Sequence, residues 1–270
     1  MSDEAKDMSF LEHLEELRYR LMRSVIAIFV VAIVLFIFKD FVFNEIIFGP
    51  RHLDFASFRA WCWISHQIGL AEKLCVTSID YEIINTTMLG KFTAHILVSL
   101  IGGFIVAFPY VFWEFWSFIK PGLRQNESRV ARGVVFFTAL LFFFGVFFGY
   151  YVIAPLSLQF LGNYELADVK STITIMSYMK LVASITLATG IIFQLPIAVF
   201  FLSKIGIVTP ELLKKFRKHA LVAVLVLAAI ITPPDLTSQI LVALPVLLLY
   251  ELSIVISRRV QRKRAESSDF

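Results

Sequence analysis

Charged residues are scarce in this chain. Asp, Glu, Lys and Arg make up 17% of its 270 residues, whereas 58% of the residues are hydrophobic. Soluble globular domains are about 25% charged and about half apolar, so this composition excludes an ordinary soluble domain. The few charges also avoid the long apolar runs, and this separation is typical of a protein that crosses a membrane several times.

Cysteine is scarce as well. The chain has two cysteines, Cys62 and Cys75, and both lie in one long segment between apolar runs. Two cysteines are too few for a metal framework or a disulfide-rich scaffold, so we expect no metal site. Two states stay open for the pair: a single disulfide, if the segment faces an oxidising compartment, or two free thiols.

Common enzyme motifs are missing from the sequence. The chain has no Walker A motif, no H-E-x-x-H and no G-x-S-x-G. The net charge is +4, but the basic residues are divided among short segments between the apolar runs. We therefore predict no enzymatic activity, no cofactor and no nucleic-acid partner.

Six apolar segments predict an all-α membrane protein that forms one polytopic domain over residues 1–270. A helix rises about 1.5 Å per residue and the hydrocarbon core is about 30 Å thick, so a span needs about 20 residues. We expect the fifth span to be short because TPPD (232–235) ends it, and the sixth because polar residues flank it. The predicted spans are residues 22–38, 92–115, 133–153, 179–203, 219–232 and 238–256.

The charge of the connecting segments alternates along the chain. Residues 117–132 contain four basic residues and one acid, Glu127, and residues 204–219 contain five basic residues and one acid. Residues 40–90, in contrast, contain three basic and six acidic residues. Because basic segments stay in the cytoplasm, the pattern predicts that both termini are cytoplasmic and that loop 40–90 lies outside.

Acidic residues precede the first span, where basic residues are the rule. The stretch SFLEHLEELRYRL (9–21) predicts a helix that begins with a capping box of Ser9 and Glu12. Glu16 and Arg20 are four residues apart on this helix and form a favourable pair. The acids have two interpretations: they complement the helix dipole, or they form a carboxylate site for a cationic partner, for which Arg is the natural choice.

The fourth predicted span contains an amide and a proline. Gln194 lies about 15 Å from the Lys204 end of the span, and Pro196 should bend the helix and free a carbonyl group. The Gln194 amide could bond that carbonyl or a neighbouring helix. His95 and Gln194 are the main polar residues away from the span ends. This scarcity disfavours the main alternative function, a secondary transporter of a small solute or ion; an inert scaffold is harder to exclude.

Five stretches together resemble the TatC family, the receptor subunits of the twin-arginine protein translocase. They are HLEELRYRL, FWSFIKPGLRQNESR, FQLPIAV, GIVTPELLKKFRKHALV and TPPDLTSQILVALPVLLLYE, and they cover nearly the whole chain in order. The resemblance implies a concave bundle of six helices in the bacterial inner membrane. It also implies single-span partners, TatA and TatB, and transport powered by the proton-motive force without a cofactor.

The resemblance further implies a binding site for the twin-arginine signal peptide of folded export substrates. Glu16 and Glu127 would hold the two arginines, Phe118 would line the same site, and Arg18 and Arg20 follow Glu16 in the family motif. These assignments favour the second interpretation of the acids before the first span.

Other residues match family positions with partner or structural roles. Gln194, beside Pro196, stands where the family often has a glutamate linked to the recruitment of TatA, so a role in proton titration is in doubt there. Loop 40–90 would form an external cap. The remaining assigned positions are Pro50, Pro121, Asp235, Gln239 and Glu251.

Overall fold

The computed structural model describes residues 10–67, 69, 75–76, 78–79, 81–119, 128–164, 172–232 and 236–266. The side chains of residues 10–13, 128–132, 236–238 and 263–266 lie outside the description. Helices form most of the described chain, and two three-residue strands accompany them.

The elements follow one another with few long connections. In chain order they are α1 (Phe10–Ile37), α2 (Lys39–Phe41), a first π segment (Val42–Ile47), a 3-10 turn (Gly49–Arg51), α3 (Ala56–Gln67), β1 (Glu82–Ile84), α4 (Gly90–Ile119), α5 (Ser128–Phe148), a second π segment (Gly149–Ile153), α6 (Ala154–Gly162), β2 (Thr172–Thr174), α7 (Ile175–Ile192), α8 (Leu195–Ile205), α9 (Pro210–Lys215), α10 (Arg217–Ile231) and α11 (Leu236–Glu266).

Five helical stretches of the described chain are long and apolar enough to cross a membrane. They are Leu14–Ile37, Gly90–Ile119, Gly133–Gly162, Ile175–Ile205 and Gln239–Arg262. The fifth predicted span corresponds to α10, which has 15 residues and is therefore about 22 Å long. The sixth is longer than expected: α11 has 31 residues, because residues 257–266 contain neither proline nor glycine and continue the helix.

The helix before the first predicted span and the span itself are one helix, α1. Residues 10–37 contain no proline or glycine, so nothing in the sequence interrupts the helix at residue 21. Most of the apolar side chains of α1 are exposed, including Ile26, Phe29 and Ile33, as expected for a lipid-facing helix. Ser9 and the Glu12 side chain, on which the predicted capping box depends, lie outside the described part.

The chain divides into two compact units; the single polytopic domain expected from the sequence stays a prediction. The first unit contains Met1–Phe38 and Val98–Leu140. In it, α1 approaches α4 closely at two glycines: a Cβ atom on Gly103 would lie 2.8 Å from the backbone oxygen of Ile28 and 2.8 Å from the Cβ atom of Ala32. The approach of these two helices therefore depends on the missing side chain.

The second unit contains Lys39–Leu97 and Leu141–Phe270. Its core consists of small and β-branched side chains from the second π segment, α6, α7, α10 and α11, namely Ile153, Ala154, Ile185, Val224, Ala228, Val242, Ala243 and Val246. A buried hydrogen bond of 2.7 Å between the hydroxyl groups of Ser203 and Ser257 also joins α8 to α11.

Prolines lie at two interruptions of long helices in the second unit, although Pro245 lies inside α11 without interrupting it. Helix α7 ends at Ile192 and α8 starts at Leu195, with Pro196 in the first turn of α8, where its missing N–H is tolerated. The predicted bend in the fourth span is thus present as a break between two helices. Pro155 similarly lies in the first turn of α6, directly after the second π segment.

Two tyrosines tie the first π segment to later helices of the second unit. The hydroxyl group of Tyr178 donates to the backbone oxygen of Ile47 at 2.9 Å, and that of Tyr150 donates to the backbone oxygen of Ile46. We call Tyr150 and Tyr178 the tyrosine pair. Both side chains are buried, so each hydrogen bond satisfies a donor and an acceptor that water does not reach.

Three further features order the segments between the long helices of the second unit. Strands β1 and β2 pair in parallel, with Glu82 opposite Thr172. Cys62 and Cys75 form a disulfide, which is one of the two states left open by the sequence.

The Tyr81 side chain is buried, and burial raises the pKa of Tyr81 to about 12, so this tyrosine is neutral at physiological pH.

Candidate functional site

Helices α1 and α4 bring four polar side chains together in the first unit. Glu16 and Arg20 lie on α1, and Tyr110 and Glu114 lie on α4. The members of each pair are four residues apart and therefore project from the same face of their helix. We call these four residues the charged cluster.

Arg20 is the centre of the charged cluster. Its Nε and Nη2 atoms donate to Glu16 Oε1 at 2.9 and 2.6 Å, and its Nη1 atom donates to Glu114 Oε2 at 3.2 Å. The side chains of Glu16 and Arg20 are 24% and 23% exposed. One guanidinium group is thus shared by two carboxylates from different helices.

Glu114 is the most deeply buried member, with a side chain that is 2% exposed. Its Oε1 atom accepts a hydrogen bond of 2.9 Å from the Tyr110 hydroxyl group, and its Oε2 atom faces Arg20. A buried carboxylate strongly destabilises a protein unless it is paired and hydrogen-bonded. Both oxygens of Glu114 meet that condition.

Glu16 differs from Glu114 in the use of its two oxygens. The Oε1 atom accepts both bonds from Arg20, whereas the Oε2 atom is inaccessible to solvent and has no hydrogen-bond partner among the described residues. The four side chains contain two carboxylates and one guanidinium group, and Arg23 adds a positive charge close enough to Tyr110 to act on it electrostatically. The cluster can accept a further cationic hydrogen-bond donor.

Sequence reasoning missed Glu114. Glu114 is the next-to-last residue of the second predicted span, 92–115, and the predicted site residues do not include it. Two signals were present: a single acid inside the aromatic run FWEFW, and Tyr110 four residues earlier on the same helix face. The pairing of Glu16 with Arg20, in contrast, follows directly from their spacing on α1.

The other residues predicted for the peptide site are only partly described. Phe118 is half-buried on α4, one helical turn beyond Glu114, and Arg18 is exposed on α1 outside the charged cluster. Glu127 and Pro121 lie outside the described residues. The predicted proximity of Glu16 and Glu127 therefore stays a prediction.

The residues predicted for partner or structural roles that are described all lie in the second unit, and Asp235 lies outside the description. Gln194 is half-buried at the break between α7 and α8, followed by the buried Pro196, and Pro50 is buried in the 3-10 turn. Gln239 Nε2 donates to the backbone oxygen of Leu225 at 3.1 Å and so links α11 to α10. Glu251 accepts a bond of 2.6 Å from Arg217, and both side chains are about half exposed.

One group in the described residues has the composition of a metal site. Cys62, His66 and Cys75 place their potential ligand atoms within 4.8 Å of one another. The two sulfur atoms are joined in the disulfide, however, and a metal requires the thiolate form of cysteine. In the disulfide state this group therefore provides one imidazole ligand, which is insufficient for a metal centre.

Comparisons with known proteins agree with this arrangement of long apolar helices. A family model described as "Sec-independent protein translocase protein (TatC)" matches residues 12–245, which include the whole charged cluster. A TatC protein of Blattabacterium sp. subsp. Periplaneta americana is 38% identical over 270 residues, covering 98% of this chain and 100% of the relative. That of Aquifex aeolicus is 34% identical over 261 residues, covering 96% and 98%.

Two solved structures are also similar to this chain. A crystal structure of the "Twin Arginine Translocase Receptor- TatC" has a TM-score of 0.68 and 33% identity, covering 93% of this chain and 100% of the other. A second crystal structure of that receptor, in DDM, has a TM-score of 0.71 and 34% identity, covering 91% and 99%. The relatives are named as components of a protein translocase, which is a transport role. The chain therefore belongs to the TatC family of Sec-independent protein translocase proteins.

Proposed function

We propose that this TatC-family protein binds the twin-arginine signal peptide of folded export substrates and that Glu16 contacts one of the two arginines. The observation that carries the proposal is the Oε2 atom of Glu16, which has no hydrogen-bond partner among the described residues. It belongs to a cluster in which two carboxylates share one guanidinium group, and its side chain is partly exposed. The cluster is thus suited to a cationic ligand that arrives from outside the chain.

An arginine fits this site better than a lysine. A guanidinium group is planar and presents several N–H donors in a fixed fork, so it can bond Glu16 Oε2 and still contact a second acceptor. A lysine ammonium group is a compact and strongly hydrated point charge without this fork. We assign the second acceptor to Glu127, the one acid of segment 117–132, and the apolar wall of the site to Phe118.

The proposal includes an orientation in the membrane. The protein is a multi-pass membrane protein, and we propose that its membrane is the bacterial inner membrane, with both termini in the cytoplasm. The support is the alternation of basic and acidic connecting segments, with five basic residues in residues 204–219 and six acids in residues 40–90. We take α10 as the sixth membrane-crossing element, next to a bilayer that thins around its 15 residues.

We further propose that the protein assembles with single-span partners of the TatA and TatB type and that the proton-motive force drives transport. We assign partner recruitment to Gln194, because it combines an intramembrane amide with the break between α7 and α8. An amide can donate and accept hydrogen bonds but does not titrate. Gln194→Leu should therefore reduce transport and leave signal-peptide binding unchanged; normal transport by this variant would refute the assignment.

The signal-peptide proposal can be tested by crosslinking in membranes. A twin-arginine signal peptide that carries a photoreactive group is added to the unaltered protein, to Glu16→Gln and to Glu127→Gln, with a Lys-Lys peptide as the ligand control. Glu251→Gln is the matched control variant, because it neutralises a half-exposed carboxylate in the second unit. We expect the Glu16 variant to lose about tenfold or more in affinity, since a hydrogen bond to a charged group contributes about 1.5–3 kcal/mol. Equal crosslinking of Arg-Arg and Lys-Lys peptides, or full crosslinking of Glu16→Gln, would contradict the proposal.

A further inference from the structure

Glu114 is a buried ionisable residue for which the proposed peptide contact has no use. Its side chain is almost fully buried, it lies on α4 rather than α1, and both of its oxygens already accept hydrogen bonds. Its burial therefore keeps Glu114 out of reach of an incoming arginine. The contribution of Glu114 to peptide binding has to act through Arg20.

Arg20 poses a difficulty for peptide binding at Glu16. It already places two N–H donors on Glu16 Oε1, so a peptide arginine that bonds Oε2 has to share the carboxylate with Arg20. If Glu16 were the only partner of Arg20, a peptide arginine that claimed Glu16 would leave Arg20 partly buried without a counter-charge. An unpaired buried charge is strongly unfavourable, so such a chain would resist the exchange.

We propose that Glu114 is a positioning residue for signal-peptide recognition, which retains Arg20 so that Glu16 remains available to the incoming guanidinium group. This inference rests on the proposed function. The bond from Arg20 Nη1 to Glu114 Oε2 already exists in the absence of a peptide. It keeps Arg20 paired when a peptide arginine takes over part or all of Glu16.

Tyr110 completes this arrangement. Its hydroxyl group holds the Oε1 atom of Glu114, one helical turn away on α4, and leaves the Oε2 atom directed at Arg20. The distances agree with a shared guanidinium group, since the contacts of Arg20 to Glu16 are shorter than its contact to Glu114, at 2.6 against 3.2 Å. A small rotation of Arg20 toward Glu114 would strengthen the second contact as the first one weakens.

The charges of Glu16, Arg20 and Glu114 suggest two variants that test this inference. With glutamine at position 114, Glu16 and Arg20 become a one-to-one ion pair without excess charge, and Arg20 competes with the peptide for Glu16. With glutamine at both 20 and 114, Glu16 regains an uncompensated charge and two available oxygens. Peptide affinity should therefore recover in the double variant. If Glu114 only stabilised the fold, this recovery of affinity would not occur.

The affinity experiment uses the purified full-length protein in lipid nanodiscs and a fluorescent twin-arginine signal peptide. The chains compared are the unaltered protein, Glu114→Gln, the double variant Arg20→Gln with Glu114→Gln, and Glu251→Gln as a control; thermal unfolding verifies that each is folded. We expect Glu114→Gln to bind about tenfold more weakly and the double variant to return to within about threefold of the unaltered protein. Unchanged affinity of Glu114→Gln, or a double variant as weak as the single one, would overturn the inference.

A second readout requires no peptide. Phenylglyoxal modifies accessible guanidinium groups, and mass spectrometry measures the rate at Arg20. We expect Arg20 to stay protected in Glu16→Gln, where Glu114 still holds it, and to be modified at least several-fold faster when Glu16 and Glu114 are both glutamine. Equal rates in these two variants would overturn the role of Glu114. A failure of the unaltered protein to prefer Arg-Arg over Lys-Lys peptides defeats the proposed function instead, so the two failures are distinguishable.

Discussion

The charged cluster of the first unit and the tyrosine pair of the second unit both join helices to chain segments that are distant in sequence. In the charged cluster, Arg20 bonds a carboxylate 94 residues away. In the tyrosine pair, Tyr150 and Tyr178 bond backbone oxygens 104 and 131 residues away. The first link uses ionised groups, and the second uses neutral hydroxyl groups.

The two links differ most in how completely their polar groups are satisfied. Each tyrosine of the pair donates one hydrogen bond to one backbone carbonyl group. This link therefore carries no charge and pairs each hydroxyl donor with an acceptor. The charged cluster has two carboxylates for one guanidinium group, and one of its oxygens has no partner in the described chain. A buried ion pair is weak evidence for stability, because desolvation offsets much of its attraction. The contrast therefore indicates that the tyrosine pair serves the fold and that the charged cluster serves binding.

The largest effect on stability is expected from Arg20→Gln alone. This change leaves Glu114 buried without its cationic partner, and breaking a buried pair in this way destabilises a protein by about 3–5 kcal/mol. Adding Glu114→Gln should restore most of the loss, because no buried charge then remains. Thermal unfolding in detergent micelles measures both variants. If the single variant unfolded at the temperature of the unaltered protein, the description of Glu114 as a buried, paired carboxylate would be wrong.

Tyr178→Phe should have the next largest effect, on stability and not on peptide affinity. It leaves the buried backbone oxygen of Ile47 without its donor, at a cost of about 1–3 kcal/mol in the free energy of unfolding. Tyr164→Phe is the control, since Tyr164 is 59% exposed. The same unfolding assay and the peptide-binding assay measure the two variants. Loss of peptide affinity in folded Tyr178→Phe would break the division between a structural and a binding link.

Gly103→Ala probes the helix crossing that supports the charged cluster. The added methyl group would meet the α1 backbone at 2.8 Å, so we expect a loss of about 1 kcal/mol, the lower end for overpacking by a small group. A displacement of α1 from α4 would also separate Arg20 from Glu114 and lower peptide affinity. Gly133→Ala is the matched control, because its added Cβ atom would meet nothing within 4 Å. Equal behaviour of both variants in unfolding and binding would refute this account of the crossing.

The smallest effect is expected at the ion pair of Arg217 and Glu251 in the second unit. The pair is short, at 2.6 Å, but both side chains are 51% exposed. Exposed pairs contribute about 0–1 kcal/mol because water and salt screen them. Glu251→Gln should therefore leave the unfolding temperature nearly unchanged at physiological ionic strength. A clear decrease in the unfolding temperature would show that exposure alone does not distinguish structural charges from dispensable ones in this protein.

Local features of the fold were predictable to a useful degree. The apolar runs predicted the long helices, and Pro196 predicted the interruption between α7 and α8, because proline excludes the hydrogen bond that would continue the helix. The lengths were less predictable. The sequence predicted a helix over residues 9–21, a span from residue 22 and a short sixth span. In the structure α1 is one continuous helix and α11 continues through charged residues, since charge alone does not end a helix.

The candidate site was predictable only where its residues share a helix. The spacing of Glu16 and Arg20 makes them neighbours on any α-helix, so the sequence alone predicts this pairing. The partner of Arg20 could not, because Glu114 lies on another helix and nothing in the pattern specifies which faces of α1 and α4 meet. The sequence does not show that Gly102 and Gly103 allow that crossing, because their role depends on the packing of α1 against them.

Short-range pattern thus sufficed for the membrane class, most helix positions and the carboxylate on α1, since these depend on hydrophobic periodicity and on neighbours within one or two turns. Only the tertiary structure decides that Arg20 bonds two carboxylates and that one Glu16 oxygen has no partner among the described residues. It also brought the tyrosine pair to Ile46 and Ile47. The physical reason is that these contacts join residues about a hundred positions apart, and the packing of whole helices, rather than any local preference, decides which of them meet.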